Sequence, residues 1–231
     1  AGTTATAIVT LEADEVASLT IDASDGTVLV DNITADKLAT ITISGDNAVT
    51  LGEDSSGTDG TVATVALASV AGGTATAAIK LSGTMEYAVD ASIVTGSGND
   101  NVDLGSSVAA GVTVSTGAGD DTITMASSSI RAVNGGSDAD DGGNDTLVIT
   151  GTNNSGAGVI NLAATGDQVT TFNGVAEEVV QSGFESVDIS GLTSSGSHGF
   201  AITANAAGST IVASGANDTI TGGAGTDVIT G

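Results

Sequence analysis

The sequence predicts an all-β protein, an elongated parallel β-helix or β-roll solenoid. Two observations favour this fold class: short strands that alternate apolar and polar residues, and a composition without bulky core residues. Of 231 residues, 34 are Gly, none is Pro, Cys or Trp, and aromatic residues make up 2%. A core of Ala, Val, Ile, Leu and Thr suits thin layers of stacked strand better than a broad globular core.

The predicted strands share one pattern, in which two apolar residues flank any residue and Ser or Thr then precedes Gly. The alternation predicts one buried face for each strand, and the closing Gly allows positive φ at a corner. Four segments follow this pattern and a fifth is a looser copy: ITISG (41–45), IKLSG (79–83), LVITG (147–151), VDISG (187–191) and IVASG (211–215). Helix formers are concentrated in residues 11–19 and 175–181, but these segments are too short for more than one or two helical turns at corners.

The charge of the chain narrows its expected partners. Its 28 acidic residues face three basic ones, Lys37, Lys80 and Arg131, which gives a formal net charge of −25. That charge excludes nucleic acid and anionic membrane surfaces as partners. A hydrophobic fraction of 40% and a mean hydropathy of +0.30 argue against disorder, so we expect a folded chain neutralised by divalent cations. Without Cys, disulfides, zinc thiolates and thiol catalysis are excluded.

We expect this chain to be a slice of a longer protein, because it begins without Met and ends inside a repeat. No apolar run approaches the ~20 residues that span a bilayer, so membrane insertion is not expected. Two zones are predicted within one continuous stack. Residues 1–92 form a β-solenoid segment with few metal-binding motifs, and residues 93–231 carry repeated acidic turns, interrupted by an insert at about 152–212.

The acidic turns follow a nonapeptide, G-G-x-G-x-D-x-U-x, where U is a large apolar residue. Residues 222–230, GGAGTDVIT, match it completely, and residues 213–221, ASGANDTIT, precede it in the same register. Upstream copies read TGSGNDNVD at 95–103 and TGAGDDTIT at 116–124, and a longer loop at 134–147 ends in the same signature. Repetition of this kind predicts stacked coils that bring equivalent turns together.

This spacing suits calcium. Glycines let a turn aim its carbonyl oxygens inward, and the Asp supplies an anionic oxygen that a hard cation prefers. One turn cannot surround calcium, whereas two turns stacked at ~4.8 Å can. The spacing predicts Asp100, Asp121 and Asp145 along one edge of the stack. It predicts Asp218 and Asp227, nine residues apart, on opposite edges.

These turns resemble the RTX (repeats-in-toxin) calcium-binding family over roughly residues 95–150 and 213–231. The resemblance implies main-chain oxygens from motif positions one and three plus Asp in one turn, and from positions two and four plus Asp in its partner. Thr95 and Ser97 with Asp100 would therefore pair with Gly117 and Gly119 with Asp121. The other expected ligands are Gly222, Ala224 and Asp227 in the last repeat, with Asp218 and Asp145. Asp138 and Asp140 belong to an acidic cluster that is equally consistent with an additional metal site and with an exposed loop.

The whole chain is also similar to Caulobacter-type bacterial S-layer proteins, in its Ala, Thr, Gly and Val richness and in segments such as GFESVDISGL at 183–192. The resemblance implies a secreted, cell-surface structural module that assembles with copies of itself, with a cell-surface polysaccharide contacted through another region. Two alternatives stay open: an RTX adhesin stalk, and the calcium-dependent secretion or folding domain of a secreted enzyme. No catalytic motif is present, so the chain itself is not expected to be an enzyme.

Overall fold

The computed structural model describes residues 6–12, 14–53, 56–60, 62–64, 67–106, 108–136, 143–153, 156–193 and 198–231. These residues form β-strands and turns and contain no helix, which confirms the all-β class. In the two segments where helical turns were allowed, 11–19 and 175–181, the described residues instead lie in strands, turns and bends. Within the described ranges there is also no helix of the length and apolarity that crossing a membrane requires.

The strands are short and follow one another through tight turns. In chain order they are β1 Thr6–Glu12, β2 Ser18–Asp22, β3 Val28–Ala35, β4 Thr40–Gly45, β5 Val49–Leu51, β6 Val62–Thr64, β7 Leu67–Ala75, β8 Ile79–Leu81, β9 Tyr87–Gly96, β10 Asn101–Asp103, β11 Thr113–Gly117, β12 Thr122–Ala126, β13 Ala132–Asn134, β14 Thr146–Thr152, β15 Gly158–Asn161, β16 Val169–Phe172, β17 Val175–Ala176, β18 Gln181–Ser182, β19 Ser186–Asp188, β20 Leu192–Thr193, β21 Phe200–Thr203, β22 Thr210–Val212, β23 Thr219–Thr221 and β24 Val228–Thr230.

Two parallel sheets make up most of the molecule. The first runs β1-β3-β5-β8-β10-β12-β14-β19-β22-β24, with β6 and β20 paired at its side. The second runs β18-β13-β11-β9-β7-β4-β2. Because the chain alternates between them, each strand pairs with the next strand of its own sheet, and we call one strand of each sheet a coil. Parallel sheets threaded in this way are consistent with a β-helix or β-roll solenoid.

The third sheet orders β17-β16-β15-β21-β23 and lies within and after the segment expected as an insert. Its β15, β16 and β17 pair antiparallel, whereas β21 pairs parallel with β15 and with β23. Residues 152–212 also supply β18 to the second sheet and β19 and β22 to the first. The first and second sheets both continue across residue 92, which lies inside β9.

The core consists of columns of aliphatic side chains, one residue from each coil. One run of such side chains in the first sheet is buried at six successive coils and half exposed at the seventh: Leu81, Val102, Ile123, Leu147, Val187, Ile211 and Ile229. Phe172 and Phe200 of the third sheet pack with ring centroids 5.5 Å apart, and the ring of Tyr87 is buried in β9 of the second sheet. The small residues of the sequence are therefore explained by the narrow space between two sheets.

Candidate metal centre

The turns that lead from the second sheet into the first stack directly on one another. In the first sheet Asn101 pairs with Thr122, and Thr122 pairs with Thr146. The preceding residues, Asp100, Asp121 and Asp145, therefore occupy equivalent positions at the starts of β10, β12 and β14. The sequence spacing predicted this alignment along one edge.

A fourth acid joins these three. Thr146 pairs with Ser186, so Glu185 occupies the next equivalent position, at the start of β19. We call Asp100, Asp121, Asp145 and Glu185 the acid column. Glu185 was missed in the sequence because it lies 40 residues after Asp145 and outside a glycine-rich repeat. The one available signal was an acid two residues before the buried Val187, the same spacing as in the other turns.

Hydrogen bonds link the acid column in one direction. Asp100 accepts the N–H of Ile79 (2.7 Å), and Asp121 accepts the N–H of Asp100 (2.7 Å). Asp145 accepts the N–H of Asp121 (2.9 Å), and Glu185 accepts the N–H of Asp145 (2.8 Å). Each carboxylate thus reaches toward the coil that precedes it and is held between two turns.

The acid column is buried: Asp100, Asp121 and Asp145 are at most 2% exposed and Glu185 is 6% exposed. Burying carboxylates is costly unless charge and hydrogen bonds compensate. The three basic residues have other partners, because Lys37 pairs with Glu15, Lys80 pairs with Glu53, and Arg131 donates to main-chain carbonyls. The column therefore concentrates negative charge away from the basic residues of the chain.

Asp100 shows most clearly how burial affects the carboxylates of the acid column. Burial raises the pKa of its carboxyl to about 7, against the lowering effect of the neighbouring Thr95 hydroxyl and the Ile79 N–H, and the charge of Asp121 raises it further. The Thr95 hydroxyl donates its hydrogen to the Thr116 carbonyl (3.0 Å). Oδ2 of Asp100 is buried and has no hydrogen-bond partner among the described residues. A cation beside this oxygen would satisfy it.

The glycines of these turns allow very close approach of main-chain oxygens. Gly117 and Gly119 have φ of +100° and +120°, values that favour glycine. A Cβ on Gly117 would lie 2.1 Å from the carbonyl oxygen of Gly96, and one on Gly119 would lie 2.6 Å from that of Gly98. Any larger residue would displace these oxygens, so the glycines keep a cradle of carbonyl oxygens between successive turns.

Threonine replaces the first glycine of the nonapeptide at two positions, and both threonines are buried. The Thr95 hydroxyl donates to the carbonyl of Thr116, and the Thr116 hydroxyl donates to the carbonyl of Gly135 (2.8 Å). This substitution adds a bond between coils and leaves the main-chain oxygens in place. Ser97, the next expected ligand, is exposed, and its N–H donates to the Ala75 carbonyl (3.2 Å).

An outer ladder runs beside the acid column and was not predicted from the sequence. Asn99 accepts the N–H of Asp120 (3.1 Å), Asp120 accepts the N–H of Asn144 (2.8 Å), and Asn144 accepts the hydroxyl of Ser186 (2.8 Å). These side chains reach toward the following coil, opposite in direction to the acid column. Adjacent residues such as Asp120 and Asp121 therefore tie one coil to both neighbours.

Asp218 and Asp227 lie apart from the acid column's centre. Asp218 precedes β23 of the third sheet and Asp227 precedes β24 of the first, so the two lie on different sheets. Asp218 accepts the N–H groups of Phe200 (2.7 Å) and Ser214 (2.9 Å). Asp227 likewise bonds a residue of the preceding coil and one in its own turn. Both oxygens of each carboxylate therefore have main-chain donors.

The two expected main-chain ligands of the last repeat, Gly222 and Ala224, are exposed. Asp227 accepts the N–H of Gly223 (2.9 Å) within this turn and that of Ser209 (3.0 Å) in the preceding coil. This end of the stack is more open to solvent than the turns at 95–100 and 116–121. The expected cluster of Asp138 and Asp140 lies outside the described residues.

The donor set of these turns is mostly main-chain oxygen. Across the described ranges, no three acidic, His or Cys side chains come close enough together to hold a metal by themselves. A hard cation that accepts several carbonyl oxygens and one or two carboxylates fits the cradle, whereas a metal that needs nitrogen or sulfur ligands does not. The buried Oδ2 of Asp100 and the close carbonyls of Gly96 and Gly98 are consistent with calcium.

Comparison with known proteins adds no relative. No family model, curated protein or solved structure matches this chain.

Proposed function

We propose that this chain is a calcium-binding structural module of a secreted bacterial S-layer protein. In this proposal the chain forms an elongated solenoid, and calcium ions between its acidic turns join one coil to the next. The observation that carries the proposal is the acid column, in which four buried carboxylates follow one another in register while the basic residues are bound elsewhere.

Calcium supports this arrangement better than protonation alone does. Hydrogen bonds from main-chain N–H groups stabilise each carboxylate, but they do not neutralise a row of like charges between adjacent coils. Calcium accepts six to eight oxygen ligands in flexible geometry, which suits carbonyl oxygens set by stacked turns. Because such a site exists only when two coils are stacked, the binding free energy would contribute directly to folding.

The inferred role is structural rather than catalytic. The acids follow the turn repeat and lie between coils, instead of converging with a nucleophile and a base in a cleft. The one histidine of the chain, His198, is exposed, and its carbonyl accepts a hydrogen bond from the Asn153 side chain rather than from the acid column. A stack of short coils with buried side-chain columns is suited to a rigid scaffold.

Assembly with copies of the same chain at the cell surface is the second part of the proposal and rests on the S-layer resemblance. An adhesin stalk would instead need a surface that recognises a ligand, for which the scarce aromatic residues offer little. A secretion or folding domain of an enzyme would share the calcium chemistry and differ only in what is attached to it. Electron microscopy of the purified chain distinguishes the S-layer hypothesis, which expects ordered sheets, from the two alternatives.

The test is to record circular dichroism in chelator and in millimolar calcium, followed by negative-stain microscopy of the calcium sample. We expect a largely unfolded spectrum in chelator, a β spectrum with calcium, and ordered sheets of protein on the grid. A full β spectrum in chelator would contradict calcium-dependent folding. If the calcium-folded protein stays monodisperse, the S-layer hypothesis is wrong and the two alternatives remain.

A further inference from the structure

The carboxylates of the acidic turns all point the same way along the stack. In the acid column, each accepts the N–H of the equivalent residue in the preceding coil. Asp218 and Asp227 do the same, through Phe200 and Ser209. One oxygen of each carboxylate is therefore held on the side of the preceding coil.

Main-chain oxygens follow a matching rule. The oxygens at motif position one face the preceding coil: that of Thr95 lies 2.5 Å from where a Cβ of Gly72 would be, and that of Thr116 accepts the Thr95 hydroxyl. The oxygens at positions two and four face the following coil, as Gly96 and Gly98 do toward the turn at 116–121. Carbonyls alternate direction along an extended chain, which explains the pattern.

These two rules change the expected pairing. Thr95 and Asp100 face away from the turn at 116–121, so they do not share one space with the oxygens of Gly117 and Gly119. The oxygens of those glycines instead face the next gap, between the turn at 116–121 and the coil that follows it. There the Gly119 oxygen lies 2.1 Å from where a Cβ of Gly143 would be. Each space between coils then combines one carboxylate and the position-one oxygen of the later coil with the position-two and position-four oxygens of the earlier coil.

From this geometry we propose that Asp100 holds a calcium ion against the turn of residues 72–79, which contains no acidic residue and no RTX motif. This inference rests on the proposed calcium-binding function and extends the row of ions one coil toward the N-terminal zone. The buried Oδ2 of Asp100, which has no hydrogen-bond partner among the described residues, is the oxygen left for this ion. Oδ1 accepts the N–H of Ile79, the last residue of this turn.

The turn at 72–79 supplies the required carbonyl oxygens without an acid of its own. A Cβ on Gly96 would lie 2.4 Å from the Ala75 oxygen and 2.9 Å from the Gly72 oxygen, and one on Gly98 would lie 2.7 Å from the Ala77 oxygen. These oxygens line the face that Asp100 meets. In this arrangement the later of two stacked coils supplies the carboxylate for the ion between them. The earlier coil therefore needs no acidic residue to complete the site.

Terbium luminescence can test this placement, because Tb³⁺ occupies calcium sites and emits when a nearby tryptophan is excited. The chain has no Trp, and Thr76 is exposed within the turn at 72–79. Thr76→Trp is therefore one reporter, and Ala118→Trp, in the turn at 116–121, is the second. Each is combined with Asp100→Asn or Asp121→Asn, which keep a neutral acceptor for the main-chain N–H.

We expect Asp100→Asn to remove more than half of the calcium-displaceable emission of the Thr76→Trp reporter, and Asp121→Asn to leave more than half. At the Ala118→Trp reporter, Asp121→Asn should have the larger effect. If the two substitutions reduce emission equally at both reporters, then Asp100 and Asp121 share one ion and the inference is wrong. Absence of calcium-displaceable emission from both reporters would instead contradict the proposed calcium binding itself.

Folding is checked by circular dichroism for each variant in the presence of calcium. If Thr76→Trp loses the β spectrum, Thr74→Trp replaces it, since Thr74 is also exposed in this turn. The same comparison of Asp100→Asn with Asp121→Asn then decides the outcome.

Discussion

At the scale of single residues, Asp121 is the central member of the acid column. Its carboxylate binds the N–H of Asp100, and its own N–H donates to Asp145, so it contacts the coil on each side. Asp227 instead bonds the N–H of Ser209, a residue without a carboxylate, and one of its oxygens is bound within its own turn. Position in the stack, rather than agreement with the repeat, should therefore decide how much each Asp contributes.

We predict that Asp121→Ala raises the calcium midpoint for folding several-fold more than Asp227→Ala does. Removing the central carboxylate leaves a calcium site without its anionic ligand and the N–H of Asp100 without its acceptor. Calcium titration followed by circular dichroism measures the midpoint. Asp22→Ala is the control, because Asp22 is an exposed carboxylate that bonds Ser24 within its own turn. Equal midpoints for Asp121→Ala and Asp22→Ala would refute the role of the column.

Asp100 gives a prediction for pH dependence. Its pKa in the folded protein, about 7, lies above the ordinary value of 3.8, so folding favours the protonated carboxyl. The stabilisation from this group is complete below pH 3.8 and is lost as the pH rises toward 7. In chelator, where the chain is expected to be largely unfolded near pH 7, lowering the pH toward 3.8 should restore more β signal in the wild type than in Asp100→Asn. Circular dichroism in chelator over this pH range measures the difference.

With calcium present, the expected pH dependence reverses, because the ion binds the ionised carboxylate and displaces its proton. Calcium affinity should therefore rise as the pH increases through 7. Parallel curves for the wild type and Asp100→Asn in both conditions would show that the pKa of Asp100 is not raised.

At the scale of elements, the turns rather than the strands set the stability of each coil. Several strands of the first sheet have only three residues, as in β8 and β10, and cannot form alone. What aligns them is the close stacking of turns such as 95–100 and 116–121, where glycine permits main chain to touch main chain. A side chain at these glycines should separate neighbouring coils.

We predict that Gly119→Ala lowers the free energy of unfolding by about 1–3 kcal/mol, the usual cost of holding a non-glycine residue in a sparsely populated backbone conformation. Gly119 has φ of +120°, and its Cβ would contact the Gly98 carbonyl oxygen. Gly166→Ala is the matched control, because a Cβ there has no atom within 4 Å. Urea unfolding in saturating calcium measures both, and equal effects would contradict close turn stacking as the source of stability.

At the scale of the whole molecule, the net charge of −25 opposes compaction. The exposed pair Lys37 and Glu15 offsets little of it, because surface ion pairs contribute little free energy. Calcium bound between coils would reduce the repulsion throughout the stack. The proposed ions therefore act both at each turn and on the charge of the entire chain.

The whole chain should distinguish calcium from magnesium. Magnesium demands near-ideal octahedral geometry and gives up its waters reluctantly, whereas calcium tolerates the many carbonyl ligands that stacked turns present. We expect calcium to restore the β spectrum at concentrations where magnesium leaves the chain largely unfolded. Circular dichroism titrations with each chloride salt measure this. If magnesium restores folding at the same concentration, charge screening rather than a built site would explain the effect.

The sequence by itself determined the all-β class and the alignment of Asp100, Asp121 and Asp145, because strand alternation and a repeat of nearly constant length leave little choice of register. It also predicted Asp218 and Asp227 on opposite edges, since nine residues carry the chain across about half a coil, and the strands that follow them lie in different sheets. Only the tertiary structure brought Glu185 into the acid column, because register across the 40 residues after Asp145 depends on how the third sheet folds. Only the tertiary structure also decided that each carboxylate faces the preceding coil, because a repeat fixes spacing along the chain but the neighbouring main-chain N–H fixes direction.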